Sequence, residues 1–167
     1  MSANRRTRYL VYAAMIAALY VVLTYFAALF GLSGQGFIQL RLSEALCILP
    51  YFTSAAIPGL TLGCLLANLL TGAHVLDIVV GTLATFLGAL GSRALKKWRF
   101  LTPLPPVLAN TLLVPFVLRY AYFQTDMAFP LLFLSVGLGE VLSVGVFGVF
   151  LLLVLEKYRS VLFGADL

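Results

Sequence analysis

Residues 39–77 read QLRLSEALCILPYFTSAAIPGLTLGCLLANLLTGAHVLD, and this stretch decides the fold. It is apolar enough to lie in a lipid bilayer, but both of its ends are polar. The polar residues are Arg41 and Glu44 at the first end and Asn68, His74 and Asp77 at the second. If the stretch folds as a helical hairpin, its two ends meet on one side of the membrane. A hairpin therefore predicts a half-buried, charged pocket, which a simple membrane anchor does not need.

The composition is that of an integral membrane protein. Of the 167 residues, 62% are hydrophobic and 10% are charged, whereas soluble domains are about 25% charged. The apolar runs are long and continuous, while the strands of a membrane barrel would alternate apolar and polar residues in ~10-residue segments. We therefore predict an all-α integral membrane protein that forms a single membrane domain over residues 1–167.

Apolar runs predict six helices in this chain. Their expected ranges are 9–30, 42–54, 58–71, 76–92, 104–121 and 130–156. The first run is longer than the ~7–15 apolar residues of a cleaved signal peptide, so we expect it to be retained as a span. The second and third runs have about 15 residues each, which is short for a ~30 Å hydrocarbon core.

Basic residues set the expected orientation. Nine of the eleven lie in three clusters: Arg5, Arg6 and Arg8; Arg93, Lys96, Lys97 and Arg99; and Lys157 and Arg159. With six helices all three clusters lie in the cytoplasm, whereas with five helices two of them would lie outside. Because positive charge on short loops favours the cytoplasmic side, we predict a six-transmembrane-helix bundle with both termini cytoplasmic. The same clustering at the ends of apolar runs argues against nucleic-acid binding.

Glu140 lies eleven residues into the last predicted span, near the middle of the bilayer. An unpaired ionised carboxylate there costs at least ~2.5 kcal/mol, so the side chain should face the interior and have a partner. A purely structural pair with Arg41 or Arg119 is one interpretation. Since ionisable groups inside a membrane mark functional sites by default, we favour a role in ligand binding. Asn110, inside the fifth span, predicts a hydrogen bond between helices.

Further polar features of the outer side leave alternatives open. The glycine-rich loop over 31–39 is either a lid or a plain connector, and the loop over 121–129 carries Asp126. His74 lies at a helix boundary, where a histidine is more often a cap than a ligand. The substrate-binding candidates are therefore Glu140, Glu44, Asp77, Asn68, Arg41 and His74.

Catalytic and metal-binding patterns do not occur in the sequence. It contains no GxxxxGK[ST] nucleotide-binding loop, no GxSxG and no HExxH. Cys47 and Cys64 lie in apolar runs and are expected to be small buried side chains. We predict that the chain is not an enzyme and has no catalytic residues, no metal and no cofactor.

The first helix carries alanines one turn apart in two registers, Ala13 with Ala17 and Ala14 with Ala18. Small residues at this spacing let another helix backbone approach closely. The spacing alone fits internal packing and a partner interface equally well.

These residues, taken together, carry a resemblance to a known family. The segments LRLSEALCILPYF, AIPGLTLGCLLANLLTG, LDIVVGTLATFLGAL, PLPPVLAN and SVGLGE, with the alanine-faced first helix, resemble the QueT family. Members of that family are substrate-binding S components of energy-coupling factor (ECF) transporters and are associated with queuosine precursors. The resemblance covers essentially the whole chain after the basic tail.

The resemblance implies a six-helix bundle in the cell membrane of a prokaryote, with a pocket open to the outside. It also implies partners, namely an ECF module in which a transmembrane coupling subunit joins two cytoplasmic ATPases. Because S components dock through an AxxxA face on their first helix, the resemblance favours Ala14 and Ala18 as the interface, with Ala13 and Ala17 as the other register.

The polar residues suit a 7-deazaguanine such as queuine. Its N1–H and exocyclic amine form a donor edge, which a carboxylate binds through two charge-assisted hydrogen bonds. We expect Glu140 or Glu44 in that role, and residue types alone do not rank them. An amide or arginine suits the carbonyl, aromatic faces suit the ring, and a second carboxylate suits a cationic aminomethyl group.

The residues are also compatible with other functions. The chain could be an S component for another vitamin-like molecule. It could also be a stand-alone secondary carrier, in which Glu140 or Asp77 carries a proton, although no internal repeat favours this. A structural membrane subunit without a ligand would not need a buried Glu140.

Overall fold

The computed structural model describes residues 3–31, 40–122 and 128–163, and the regular structure in these ranges is entirely helical. The α-helices are α1 Ala3–Leu29, α2 Ala56–Leu70, α3 Val75–Ala94, α4 Leu104–Tyr120, α5 Phe129–Glu140, α6 Val149–Lys157 and α7 Arg159–Leu162. Leu42–Tyr51 and Arg99–Leu101 are 3₁₀ helices, and the π-helical segment Val141–Gly148 joins α5 to α6. The expected all-α class is confirmed over the described residues.

Helices of membrane-spanning length and apolarity occur at four places in the described ranges. They are Arg5–Leu29, Val75–Ala94, Arg99–Tyr120 and Phe129–Lys157. Large apolar side chains point outward from them, including Leu29 and Phe150, which are 83% and 68% exposed. Such exposure is unfavourable in water and favourable against lipid chains, so the fold is that of a membrane protein.

Residues 42–70, within the apolar stretch with polar ends, form two short helical arms. Leu42–Tyr51 has ten residues and α2 has fifteen. A 3₁₀ helix rises about 2.0 Å per residue and an α-helix about 1.5 Å, so the arms are of similar length, ~20 Å and ~22 Å. The chain reverses at residues 52–55, where the Ala55 N–H donates to Thr53 Oγ1 at 3.2 Å. Pro58 lies in the first turn of α2, where its missing N–H costs nothing.

Glycines hold α1 close against α2. A Cβ atom on Gly59 would lie 2.8 Å from the Ala13 carbonyl oxygen, and one on Gly63 would lie 3.0 Å from the Ala17 Cα. Ala13 and Ala17 are both 8% exposed. This alanine register is therefore buried inside the protein.

The other alanine register faces outward. Ala14 and Ala18 are exposed on α1, on the side away from α2. Of the two predicted docking registers, Ala13 with Ala17 packs against α2, whereas Ala14 with Ala18 is exposed. The structure thus separates two patterns that are equivalent in the sequence.

The 3₁₀ arm packs against the π-helical segment. A Cβ atom on Gly148 would lie 3.1 Å from Ile48 Cγ2 and 3.3 Å from the Ala45 carbonyl oxygen. Glu44 lies in the first turn of this arm, and Glu140 directly precedes the π-helical segment. The close packing of the two elements therefore brings two distant carboxylates into one region. Single π-helical turns in longer helices are frequent at functional sites.

Candidate substrate site

A polar cavity of about 290 Å³ lies where the two ends of the hairpin meet. Small-molecule pockets begin at about this size. Its lining residues are Tyr20, Thr24, Ala27, Ala28, Arg41, Ser43, Asn68, Thr71, Gly72, Ala73, Asp77 and Tyr122. Three of the six predicted substrate-binding residues, Arg41, Asn68 and Asp77, thus line one cavity.

An ion pair crosses the cavity. Arg41 Nη2 lies 3.5 Å from Asp77 Oδ1, and the Tyr122 hydroxyl donates to Asp77 Oδ2 at 3.1 Å. Burial works to lower the pKa of Arg41, but Asp77 and the other acidic groups around it, Glu44 among them, together hold that pKa above its usual value. Burial also raises the pKa of Tyr122, so its hydroxyl stays protonated and can donate to Asp77.

Asn68 and His74 have structural contacts at the rim of the cavity. Asn68 Nδ2 donates to the Asp77 backbone carbonyl at 3.4 Å. His74 caps α3, since its Nδ1 accepts from the Leu76 N–H at 3.2 Å, and its backbone N–H donates to the Tyr122 hydroxyl at 3.1 Å. The histidine side chain is exposed and one of its ring nitrogens is used by the cap.

Glu44 lies deeper, with none of its surface exposed. Its carboxylate accepts from the Tyr20 hydroxyl, from Cys47 Sγ at 3.0 Å and from Asn110 Nδ2 at 3.3 Å. The predicted hydrogen bond of Asn110 to another helix is thereby confirmed. Cys47 is buried as expected, but it also serves as a donor to the carboxylate.

Glu140 is 3% exposed and lies close enough to Glu44 for their charges to interact. Its carboxylate interacts with the Asn110 amide and with the charges of Glu44 and Arg41. Its Oε2 has no hydrogen-bond partner in the described structure, and the same is true of Asn110 Oδ1, Thr85 Oγ1 and Ser143 Oγ. Buried polar atoms without partners are rare, and each calls for a physical explanation such as a bound ligand or water.

The site therefore has two tiers. The mouth group consists of Arg41, Asn68, Asp77 and Tyr122, and the floor group consists of Glu44, Asn110 and Glu140. Tyr20 lies between them, because it lines the cavity and also bonds Glu44.

The sequence analysis did not single out Tyr20. Tyr20 falls in the middle of the first apolar run, on the helical face of Ala13 and Ala17, and that position was the available indication. Of the glycine-rich loop over 31–39, which is either a lid or a connector, all but Gly31 lies outside the described residues, and so does Asp126.

Two larger depressions lie elsewhere on the described part of the chain. One, of about 610 Å³, has a mostly apolar lining from α1, the 3₁₀ arm, α6 and residues 161–163. The other, of about 530 Å³, lies beside residues 97–101. Neither contains a carboxylate in its lining, so the smaller cavity is the better candidate for a polar ligand. No group of three metal-ligating side chains occurs within the described ranges.

Comparison with known proteins identifies the family of the chain. The model of the QueT transporter family matches residues 10–157. The queuosine precursor transporter QueT of Lactococcus lactis subsp. cremoris (strain MG1363) is 42% identical over 72 residues, which are 43% of this chain and 41% of that protein. The aligned region thus spans less than half of that relative. No solved structure matches the chain significantly. With nearly its whole length matched by the family model, the chain belongs to the QueT transporter family.

Proposed function

We propose that the chain is the substrate-specific S component of an ECF-type importer, which binds a queuosine precursor at the outer face. The ligand is a 7-deazaguanine such as queuine or one of its biosynthetic precursors, or queuosine itself. The observation that carries the proposal is the floor group, in which two buried carboxylates share one amide below a polar cavity. The family match and the name of the Lactococcus relative support the substrate class.

The floor group suits the donor edge of the ring. Glu140 Oε2 and Asn110 Oδ1 are buried acceptors without partners, and the N1–H and exocyclic amine of a 7-deazaguanine are donors. Pairing them would remove the cost of two unsatisfied buried acceptors, which is about 1–3 kcal/mol each. Glu140 is therefore our choice for the guanine edge, while Glu44 already has three donors and can accept from a ligand only when one of them leaves.

The mouth group suits the remainder of the ligand. Arg41 and Asn68 offer donors for the ring carbonyl, and Asp77 offers a carboxylate for a cationic aminomethyl group. Tyr20 and Tyr122 offer aromatic faces for the ring itself. His74 stands at the rim, and we assign it a capping role with at most a peripheral contact to ligand.

In this proposal the protein crosses the prokaryotic cell membrane six times, with both termini cytoplasmic. The two short arms, each ~20 Å, account for the second and third crossings, and the four long helices for the others. The positive-inside distribution of the three basic clusters supports this orientation.

Transport energy comes from partners. We infer that the exposed face of Ala14 and Ala18 docks on a transmembrane coupling subunit, which connects to two ATPases. Small side chains on an exposed helix face allow close approach of a partner helix within the membrane. Ala13 and Ala17 have their close contacts with α2.

A ligand titration tests the proposed function. Purified protein in lipid nanodiscs is mixed with queuine or with 7-aminomethyl-7-deazaguanine, and binding is measured by calorimetry. We expect saturable one-to-one binding, with guanine itself binding more weakly. If no 7-deazaguanine binds while an unrelated vitamin does, the S-component role stands with another substrate.

A stand-alone secondary carrier is the second candidate, because two adjacent buried carboxylates could also hold a transported proton. Uptake of labelled queuine by cells that lack the ECF ATPases separates the two functions. Loss of uptake supports the ECF proposal, and unchanged uptake supports the carrier.

A further inference from the structure

Tyr20 separates the cavity from Glu44. Its side chain is 3% exposed and lines the cavity, whereas Glu44 is fully buried and does not. The Tyr20 hydroxyl donates its hydrogen bond to Glu44 Oε1. A molecule entering from the mouth group therefore meets the tyrosine ring before it can reach that carboxylate oxygen.

Packing holds the tyrosine in this position. A Cβ atom on Gly63 would come within 2.7 Å of the Tyr20 Cβ. Because the two helices touch at this point, α1 has no room to move toward α2. Access to Glu44 Oε1 then requires rotation of the Tyr20 side chain rather than displacement of the helix.

We propose that Tyr20 is a specificity-determining residue, which the substrate displaces from Glu44 by bringing a hydrogen-bond donor of its own to Oε1. This inference rests on the proposed function, in that a donor-rich ligand uses the floor group. A ligand with a suitably placed donor exchanges one hydrogen bond for another. A ligand of the same shape without the donor would leave a buried carboxylate oxygen unpaired, and sites of this kind reject such analogues strongly.

The remaining contacts of Glu44 fit this role. Cys47 and Asn110 both donate to Oε2, so that oxygen stays bonded when the tyrosine leaves. Only Oε1 changes partner. The carboxylate therefore keeps its position while the ligand binds, which is what an exchange of donors requires.

Tyr20→Phe tests the proposal, with Tyr25→Phe as the matched control. Tyr25 lies on the same helix and its hydroxyl donates to the Leu70 carbonyl at 2.9 Å, away from both carboxylates. In the Tyr20→Phe variant, Glu44 Oε1 has no tyrosine donor before the ligand binds. We therefore expect queuine to bind this variant about tenfold more tightly than it binds the wild type. Tyr25→Phe should bind as the wild type does. Equal or weaker binding to Tyr20→Phe would overturn the proposal.

A second measurement does not depend on whether the Tyr20→Phe variant folds. Selective placement of 3-fluorotyrosine at position 20 or at position 25 gives each site its own fluorine resonance. Saturation with queuine should shift the resonance at position 20 and leave that at position 25 unchanged. A resonance at position 20 that stays fixed while calorimetry shows binding overturns the displacement of Tyr20 and leaves the transport function intact. Absence of queuine binding in the calorimetry would instead contradict the proposed function.

Discussion

Arg41 and Asp77 are separated by 36 positions in the sequence, yet Arg41 Nη2 lies 3.5 Å from Asp77 Oδ1. The contact joins the start of the 3₁₀ arm to the first turn of α3. It therefore closes the polar end of the hairpin and shapes the mouth of the cavity. The side chains are 23% and 9% exposed, so the pair is partly shielded from water and from salt.

The pair should contribute measurably to stability. We expect Arg41→Ala and Asp77→Ala each to lower the free energy of unfolding, and the double variant to lose less than the sum of the two. A coupling energy of about 1 kcal/mol is reasonable for a partly buried pair. Unfolding of the four proteins in mixed micelles with a denaturing detergent measures it. Strict additivity would show that the contact contributes nothing.

The meeting of these two ends could be predicted from the sequence, because it depends only on hydropathy and charge. In lipid, the backbone N–H and C=O groups of an apolar run must bond to one another, so the run forms a helix. An apolar run that is broken in the middle and polar at both ends must then fold back on itself. The contact between Glu44 and Asn110, across 66 positions, does not follow from that reasoning. Which helix faces which inside a bundle depends on the shapes of all the side chains at once.

The alanine registers show the same limit. Ala13 with Ala17 and Ala14 with Ala18 have equal spacing, so no property of α1 alone distinguishes them. Gly59 and Gly63 on α2 decide which pair is buried. The 3₁₀ form of Leu42–Tyr51 was likewise not evident, since an apolar run does not specify its helical rise.

The two buried carboxylates should be required for ligand binding. We expect Glu140→Gln to weaken queuine binding at least a hundredfold, because the charge-assisted bond is lost and an amide N–H faces the donors of the ligand. Glu156→Gln is the control, since Glu156 pairs with Arg99 at 2.9 Å outside the cavity. Calorimetry in nanodiscs measures the three affinities. Wild-type affinity of Glu140→Gln would remove Glu140 from the site.

Glu44→Gln is expected to weaken queuine binding and also to lower stability. The carboxylate accepts from Tyr20, Cys47 and Asn110, and an amide nitrogen in place of either oxygen would face a donor. Thermal unfolding monitored by circular dichroism should therefore show a lower midpoint for this variant. A variant that keeps both its midpoint and its queuine affinity would show that the charge of Glu44 has no role.

Gly63→Ala should destabilise the bundle by about 1–3 kcal/mol, because overpacking of a close contact forces the backbones apart. The added Cβ would lie 2.7 Å from the Tyr20 Cβ and 3.0 Å from the Ala17 Cα. Gly145→Ala is the control, since its nearest contact would be Val141 Cγ1 at an ordinary 3.7 Å. Detergent-induced unfolding compares the two variants. Equal stabilities would show that α1 and α2 can separate at no cost.

The exposed and buried alanines should respond differently to a larger side chain. Ala14→Leu with Ala18→Leu places bulk on the outward face, so the protein should fold, bind queuine as the wild type does, and fail to co-purify with the ATPase module. Ala17→Leu directs the bulk into Gly63, so that protein should lose stability and ligand binding together. Co-purification from cells that express the whole module, with calorimetry on the isolated chain, separates the two effects. Assembly of the Ala14→Leu, Ala18→Leu protein at the wild-type level would show that the coupling subunit docks on a different face.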